Sequence, residues 1–346
     1  MSLAKFIFAF SLIFNSISIN PGQKFPFSPN HFTNYSPIGP ITEFIPEMIN
    51  YFGTFASIGY CSQNEILNEN CCPDFLIQEN WELLDQGINP NDQRYNYGIY
   101  KNDIYKKIVI TVPGTRNTQE LLSEMIYSML TPFDLITEMR VVKYFKDKMW
   151  GIKDQVFSEK NKKIIKTYNG FQVIFIGHSL GGAVATLLSL YAVNSNFIDP
   201  ISNDPVLITF GQPRTGNDVF ANEVMKNIPH VFRVVRQGDM VPTVPECVKS
   251  IFGSCKTVFP NNKFDYNYEL KKRSMWKEFF RVNVNYWHIG GLIMINPDIT
   301  EITYCDYDQG ENFQGDCNNK KKMDVEFHSF YLNKKESISA KCSSYF

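Results

Sequence analysis

One short stretch near the middle of the chain limits the possible folds more than any other. An apolar run at residues 173–176 is followed by Gly-His-Ser-Leu-Gly at 177–181 and then by small residues typical of a helix start. A Gly-x-Ser-x-Gly motif between a strand and a helix predicts a strained turn that exposes the serine hydroxyl. Glycines are required because a side chain on either flank would collide with neighbouring backbone. Ser179 is therefore predicted to be a nucleophile at the end of a buried strand.

The rest of the chain alternates between buried-type strands and helices. Helices are predicted at 41–59, 119–130 and 145–163, and strands at 95–100, 107–112, 205–210, 231–235, 292–295 and 299–305. This alternation indicates an α/β fold with a largely parallel central sheet flanked by helices, and we expect a single domain. In such sheets, sites form at the carboxyl ends of the strands.

An activated serine needs a histidine to take its proton and a carboxylate to orient that histidine. Asp239 follows the strand at 231–235, which places it at the same sheet edge as Ser179. Asp218 is the alternative acid, but its position at a predicted helix start is typical of a capping residue. Asp239 is the predicted acid.

Two histidines follow Asp239, as the chain order Ser, Asp or Glu, His expected after an elbow serine requires. His288 precedes the apolar run at 292–295, so it should lie at the opposite edge and make structural hydrogen bonds. His328 follows a later strand and a polar loop, so it can return to the edge that carries Ser179. His328 is the predicted base, whereas His178 is expected to point away from the nucleophile.

Acyl transfer also needs two N–H donors for the developing oxyanion. One is expected from Leu180, directly after the nucleophile, and the other from Thr115, in the loop after the strand at 107–112. An ordinary turn capped by Thr115 is the alternative. The predicted helix at 119–130 has a Met-containing apolar face, which fits either a core-facing helix or a mobile lid.

Residues 1–18 have the features of a secretory signal peptide: Lys5, an apolar block at 6–14, and small residues before the expected cleavage site. We expect residues 19–40 to be an extended leader and residues 41–346 to form the folded domain. No later stretch is apolar and long enough to span a bilayer. A secreted or secretory-pathway protein is therefore predicted.

All eight cysteines lie after residue 18, and an even number in an exported chain predicts disulfide bonds. Cys247 with Cys255 and Cys305 with Cys317 close short loops and are the preferred pairs, although the spacing leaves other pairings open. A zinc site is the alternative, but the cysteines do not form paired C-x-x-C units. We predict no metal and no organic cofactor.

The charge balance argues against a nucleic-acid partner. The chain has 34 Lys and Arg against 35 Asp and Glu, so no net field would attract a polyanion. Residues 271–281 form a basic and aromatic stretch, which is either a solvated surface helix or a segment that docks on a lipid surface.

Taken together, the motifs resemble those of the class 3, fungal-lipase-like triacylglycerol lipases of the α/β-hydrolase superfamily. The resemblance runs from about residue 41 to the C-terminus. It rests on Gly-His-Ser-Leu-Gly-Gly-Ala at 177–183, Thr-Phe-Gly-Gln-Pro-Arg-Thr-Gly-Asn at 209–217, Asp-Met-Val-Pro at 239–242, Tyr-Trp-His at 286–288 and the final His328.

This resemblance implies the α/β-hydrolase fold and a lid region at 118–135. It also implies a set of site residues: the triad Ser179, Asp239 and His328 and the oxyanion donors Thr115 and Leu180. One loop departs from the family pattern. Where the family commonly has Phe-Arg-Gly-Ser or Phe-Arg-Gly-Thr, residues 112–115 read Val-Pro-Gly-Thr, so Pro113 replaces the arginine.

The predicted function is a secreted serine ester hydrolase that cleaves lipid esters of the acylglycerol type through an acyl-enzyme. Its partners would be the lipid ester substrate and, transiently, a lipid–water interface. A phospholipase or general carboxylesterase on the same triad is one alternative, since the triad does not fix the leaving group. A secreted lipid-binding protein with impaired catalysis is the alternative from a different class.

Overall fold

The computed structural model describes residues 24–26, 37–43, 45–61, 73–89, 92–115, 121, 130–133, 138–245, 248–249, 255–256, 288–305, 326–332 and 338 of the 346-residue chain. In chain order the strands are β1 (Lys24–Pro26), β2 (Glu82–Asn89), β3 (Asp92–Asn102), β4 (Lys107–Val112), β5 (Leu130–Pro132), β6 (Arg140–Val142), β7 (Gln172–His178), β8 (Val206–Phe210), β9 (His230–Arg236), β10 (Val248–Lys249), β11 (Cys255–Lys256), β12 (Gly291–Ile295) and β13 (Glu301–Cys305). The helices are α1 (Glu47–Ile58), α2 (Pro73–Gln78), α3 (Lys143–Val156), α4 (Glu159–Thr167), α5 (Leu180–Asn194) and α6 (Asp218–Asn227).

Nine of these strands form one sheet, in the order β1-β13-β12-β9-β8-β7-β4-β3-β2. The central strands β4, β7, β8, β9 and β12 pair in parallel, and the strands at both edges pair antiparallel. Strands β4, β7 and β8 are buried at every residue, as expected for parallel strands covered on both faces. The predicted α/β fold with a largely parallel central sheet is confirmed.

Alternate residues of the central strands point into two different cores. In β7, Val173 and Phe175 pack with residues of α3, α5 and α6. Ile174 and Ile176 pack on the opposite face with residues of α1. Because β4, β7, β8 and β9 succeed one another in the sheet as they do in the chain, right-handed crossovers carry their connecting helices to the same face.

The segment at 37–43 is attached at the edge where the central strands begin. Buried Lys107 donates from Nζ to the Gly39 carbonyl (2.6 Å) and to Oε1 of Gln172 (3.0 Å). The Ile41 amide donates to the same Gln172 oxygen (2.9 Å). Burial lowers the pKa of Lys107 to about 8, against an opposing effect of Asp204. This cluster lies at the opposite edge from Ser179.

Two elements differ from the sequence predictions. The helix expected at 145–163 is two helices, because Ser158 caps α4 and its Oγ accepts from the Asn161 amide (3.3 Å). Leu130, predicted to end the helix at 119–130, begins strand β5, which pairs with β6. There Pro132 lies in a short two-stranded pair rather than after a helix end.

Several predictions fall outside the described residues. These are the signal peptide at 1–18, most of the lid region, the basic stretch at 271–281, and Cys71, Cys72, Cys247, Cys317 and Cys342. Cys61 and Cys305 are disulfide-bonded, but the proposed pairings involve cysteines beyond these segments. Within the described residues, none of the helices combines the length and apolar character required to span a membrane.

Candidate active site

Ser179 alone makes the turn between the end of β7 and the start of α5. Its backbone has φ 58° and ψ −128°, a conformation that costs a residue with a side chain about 1–3 kcal/mol. A Cβ on Gly177 would collide with the backbone of Gly181. The two glycines are thus required by the close passage of strand and helix, as the motif predicts. The Ser179 amide donates to the Phe210 carbonyl of β8 (2.8 Å), which ties the turn to the sheet.

The structure brings Asp239 and His328 into direct contact. Nδ1 of His328 lies 2.8 Å from Oδ2 of Asp239, and both side chains are buried. A carboxylate can only accept, so Nδ1 carries the proton and Nε2 carries the lone pair. Nε2 of His328 and Oγ of Ser179 are both buried, and neither has a hydrogen-bond partner among the described residues. The histidine therefore presents its basic nitrogen in the tautomer that a general base requires.

A buried carboxylate is stable only when donors replace its hydration. Oδ1 of Asp239 accepts from the Val241 amide (2.9 Å), and Oδ2 accepts from the Tyr331 hydroxyl as well as from His328. Burial, followed by the charge of Asp239, raises the pKa of Tyr331 well above its ordinary value. Tyr331 consequently stays protonated and continues to donate.

Gly211 directly follows β8 and allows the backbone to run close to the side chains of Asp239 and His328. Its φ is 59°, and a Cβ there would lie 2.9 Å from Cε1 of His328, 2.9 Å from Oη of Tyr331 and 3.0 Å from Oδ2 of Asp239. The positive φ and the lack of room for a Cβ both favour glycine at this position. Asp239 and His328 therefore occupy a volume that any other residue at 211 would enter.

The segment that carries His328 is a short 3₁₀ turn, Glu326–His328, rather than a strand. Arg236, at the end of β9, holds this segment by donating from Nη1 to the Phe330 carbonyl (2.8 Å). The guanidinium also lies 4.5 Å from the ring centroid of Phe327 and donates from Nη2 to the Pro297 carbonyl (2.6 Å). Arg236 thereby links the turn of Asp239 to the segment of His328.

The loop after β4, which contains the predicted oxyanion donor Thr115, lies against the elbow. A Cβ on Gly114 would be 2.9 Å from Cβ of Ser179, and a Cβ on Gly181 would collide with the Pro113 carbonyl. Leu180 is the first residue of α5 and is buried. The site therefore lies at the amino end of a 15-residue helix, where backbone N–H groups and the helix dipole favour negative charge.

Asp218 and His288, the alternatives to Asp239 and His328, lie in other parts of the structure. Asp218 is in the first turn of α6, which Asn217 caps by accepting from the Phe220 amide (3.0 Å). His288 is buried just before β12, and burial, followed by the nearby Arg233 and Arg214, lowers its pKa well below the ordinary value. Among the described residues, no group of three or more His, Cys, Asp or Glu side chains could hold a metal ion.

Sequence reasoning missed the residues that support the triad. The Tyr331 hydroxyl donates to Asp239, and Arg236 binds the Phe330 carbonyl in the segment of His328; these partners become visible only in the folded chain. His178 was expected only to point away from the nucleophile, yet its ring stacks on His328. Gly211 alone had a local signal, because a glycine directly after a buried strand often marks a tight turn.

Comparison with known proteins gives matches to lipases. Residues 109–249 match the family described as lipase (class 3). A Caenorhabditis elegans lipase, ZK262.3, is 32% identical over 156 residues, which cover 44% of this chain and 42% of that protein. Secreted mono- and diacylglycerol lipase 1 of Fusarium solani is 25% identical over 258 residues, covering 72% of this chain and 66% of that protein. The matches thus span less than two thirds of the length of either relative.

Solved structures of fungal lipases share the fold. The Rhizomucor miehei lipase in its propeptide complex superimposes with a TM-score of 0.63 at 20% identity, covering 84% of this chain and 81% of that one. The lipase of Rhizopus microsporus var. chinensis gives a TM-score of 0.63 at 20% identity over 88% of this chain and 94% of its own. Residues 109–249 therefore match the class 3 lipase family in sequence, and the chain shares its fold with the fungal lipases.

Proposed function

We propose that this protein is a secreted serine ester hydrolase that cleaves lipid esters of the acylglycerol type. The observation that carries the proposal is the Asp239–His328 pair, together with the buried Ser179 at a strained turn; neither Nε2 of His328 nor Oγ of Ser179 has a hydrogen-bond partner among the described residues. Relatives that are named mono- and diacylglycerol lipases support the substrate class. The match to the class 3 lipase family supports the reaction type.

In this proposal, Ser179 attacks the ester carbonyl while Nε2 of His328 takes the hydroxyl proton. Asp239 holds the proton of Nδ1 and stabilises the imidazolium that forms. His328 then gives its proton to the leaving alcohol, and the acyl group stays on Ser179. Water, activated by the same Nε2, releases the fatty acid and restores the serine.

The amides of Thr115 and Leu180 are the proposed donors to the oxyanion. Leu180 begins α5, so its amide points out of the amino end of a helix, and the Thr115 loop packs against the same elbow. Donors fixed in this way act on the transition state without reorganisation. Pro113 constrains the loop on the side where the family commonly has arginine, which favours a preset rather than a mobile backbone.

Secretion and a lid are further parts of the proposal. The disulfides at Cys61 and Cys305 fit an oxidising compartment, and two relatives are named as secreted lipases. Of the proposed lid region at 118–135, Leu121 is fully buried in the core that α3 and α5 share. Packing of this apolar side chain into the core fits both a closed lid and the core-facing helix that the sequence also allows.

The test uses the purified wild type and Ser179→Ala. We expect the wild type to hydrolyse an emulsified triglyceride, a diacylglycerol and p-nitrophenyl butyrate, and to be labelled by a fluorophosphonate. Ser179→Ala should show neither turnover nor label. Hydrolysis that survives in Ser179→Ala would overturn the assignment of the nucleophile, and a wild type that neither turns over nor labels would overturn the proposed function. Preference for a phospholipid over every acylglycerol would overturn the substrate class alone.

A further inference from the structure

His178, the residue between β7 and the nucleophile, has partners on both ring nitrogens. Its side chain is 3% exposed. Nε2 lies 2.9 Å from the main-chain carbonyl of His328, and Nδ1 lies 2.7 Å from the hydroxyl of Tyr60. A carbonyl only accepts, so Nε2 carries the hydrogen and Nδ1 accepts from Tyr60. The two contacts fix one tautomer of His178.

The surroundings also keep His178 neutral. Burial, and then the neighbouring His328, lowers the pKa of His178 well below its ordinary value, while the bond to the His328 carbonyl partly opposes this shift. A protonated ring would have a hydrogen on Nδ1, where the Tyr60 hydroxyl could no longer donate. It would also place a positive charge beside the histidine that becomes positive during acyl transfer.

His178 holds both the backbone and the ring of His328. The two imidazoles stack with centroids 4.7 Å apart and an interplanar angle of 28°, while Nε2 of His178 binds the carbonyl of the same residue. His178 is the last residue of β7, a central strand, and Ser179 follows it directly. One side chain therefore connects the backbone of the nucleophile to the backbone of the base, across 150 residues of sequence.

We propose that His178 is a positioning residue, which sets the separation and the angle between Oγ of Ser179 and Nε2 of His328. Tyr60 acts through it by holding the tautomer that donates to the His328 carbonyl. This inference rests on the proposed hydrolase function. His178 does not touch the reacting atoms itself, so its loss should lower the rate of the chemical step without weakening substrate binding.

Two substitutions separate the contacts. His178→Phe keeps an aromatic ring against His328 but removes the donor, whereas His178→Gln keeps an amide donor at the position of Nε2 but removes the ring. On p-nitrophenyl butyrate we expect kcat to fall about 10- to 100-fold in His178→Phe, the range that follows from a displacement near 1 Å. His178→Gln should recover part of the loss. KM should change less than twofold in both.

Tyr60→Phe tests the tautomer, and Tyr100→Phe is its matched control. Tyr100 is also fully buried, on β3, and its hydroxyl has no hydrogen-bond partner among the described residues. We expect kcat to fall several-fold in Tyr60→Phe and to stay at the wild-type value in Tyr100→Phe. Fluorophosphonate labelling rates should follow kcat, because labelling needs the same activated serine.

The outcomes separate the two proposals. Wild-type kcat in both His178 variants would overturn the positioning role while leaving the hydrolase intact. If His178→Phe does not fold, wild-type kcat in His178→Gln and Tyr60→Phe would overturn it equally. A rise in KM that accompanies the fall in kcat would indicate a role in substrate binding. That result would also count against the positioning role. A wild type without turnover or label would instead overturn the proposed function on which this role depends.

Discussion

The backbone strain at Ser179 should be measurable as a stability difference between two inactive variants. Ser179→Ala keeps the Cβ at φ 58° and ψ −128°, whereas Ser179→Gly removes it. Removing a buried methyl group costs about 0.8 kcal/mol, and glycine costs a further ~0.5–1 kcal/mol in backbone entropy. Relief of the strained conformation returns about 1–3 kcal/mol. We therefore expect Ser179→Gly and Ser179→Ala to have nearly equal stability.

The comparison needs an alanine in ordinary geometry. Ala185 is fully buried in α5, the helix that begins directly after Ser179. Adding Ala185→Gly to Ser179→Ala should cost about 2 kcal/mol, from roughly 1 kcal/mol of helix propensity and 0.8 kcal/mol of lost methyl burial. The difference between the two alanine-to-glycine changes measures the strain directly.

Urea unfolding without reducing agent supplies the measurement, because the slope m and the midpoint together give the free energy of unfolding. Intact disulfides keep the unfolded reference the same for every variant. If Ser179→Gly loses the same ~2 kcal/mol relative to Ser179→Ala as Ala185→Gly does, the turn stores no strain. In that case the positive φ of Ser179 would carry no measurable cost.

Three further predictions follow from contacts of the triad and the sheet. Tyr331→Phe removes a donor to Asp239, and losing a charge-assisted bond of about 1.5 kcal/mol should lower kcat about tenfold at unchanged KM. Gly211→Ala forces a Cβ to within 2.9 Å of Cε1 of His328 at φ 59°, so we expect a larger fall in kcat. Lys107→Met removes a buried amine with a pKa of about 8, against 10.5 unperturbed. Between these values the unfolded wild type binds more protons than the folded one, so its stability relative to Lys107→Met should rise with pH, by up to ~3 kcal/mol in urea unfolding.

Each of these has a result that would contradict it. Wild-type kcat in Tyr331→Phe would mean that Asp239 needs no third donor. A fully active Gly211→Ala would show that the triad can shift without loss. Parallel stability curves for wild type and Lys107→Met from pH 8 to 10.5 would mean that Lys107 is not perturbed by burial.

Much of the fold follows from local pattern. The central strands β7 and β8 are short apolar runs bounded by turn residues, and a buried parallel strand requires that pattern whatever its neighbours are. The sequence prediction runs through the break between α3 and α4, although residues 158–163 are all polar and do not continue the apolar period. Ser158 ends the helix there by capping the next one, a local bond that competes with helix continuation.

The residues of the site also fall into two groups, those that local sequence predicts and those that it does not. Ser179 lies in a motif whose residues are adjacent, and Asp239 follows a recognisable strand, so topology predicts that they share an edge. His328 is predicted only by the direction of the chain, which returns after a later strand to the edge that carries Ser179. His178 contacts His328 itself, and Arg236 contacts Phe330 of the same segment. Both contacts cross long sequence separations, where no local period or spacing carries a signal.

The attachment of His328 has a consequence for how the protein loses activity. The base is carried by a three-residue 3₁₀ turn, tied to Asp239 across 89 residues and to His178 across 150. Such a segment can open without any strand of the central sheet separating, so its local unfolding free energy lies below the global value. Activity should therefore disappear at a lower urea concentration than the circular dichroism of the sheet. At intermediate urea concentrations the protein would be folded but inactive, with Ser179 and Asp239 still in place.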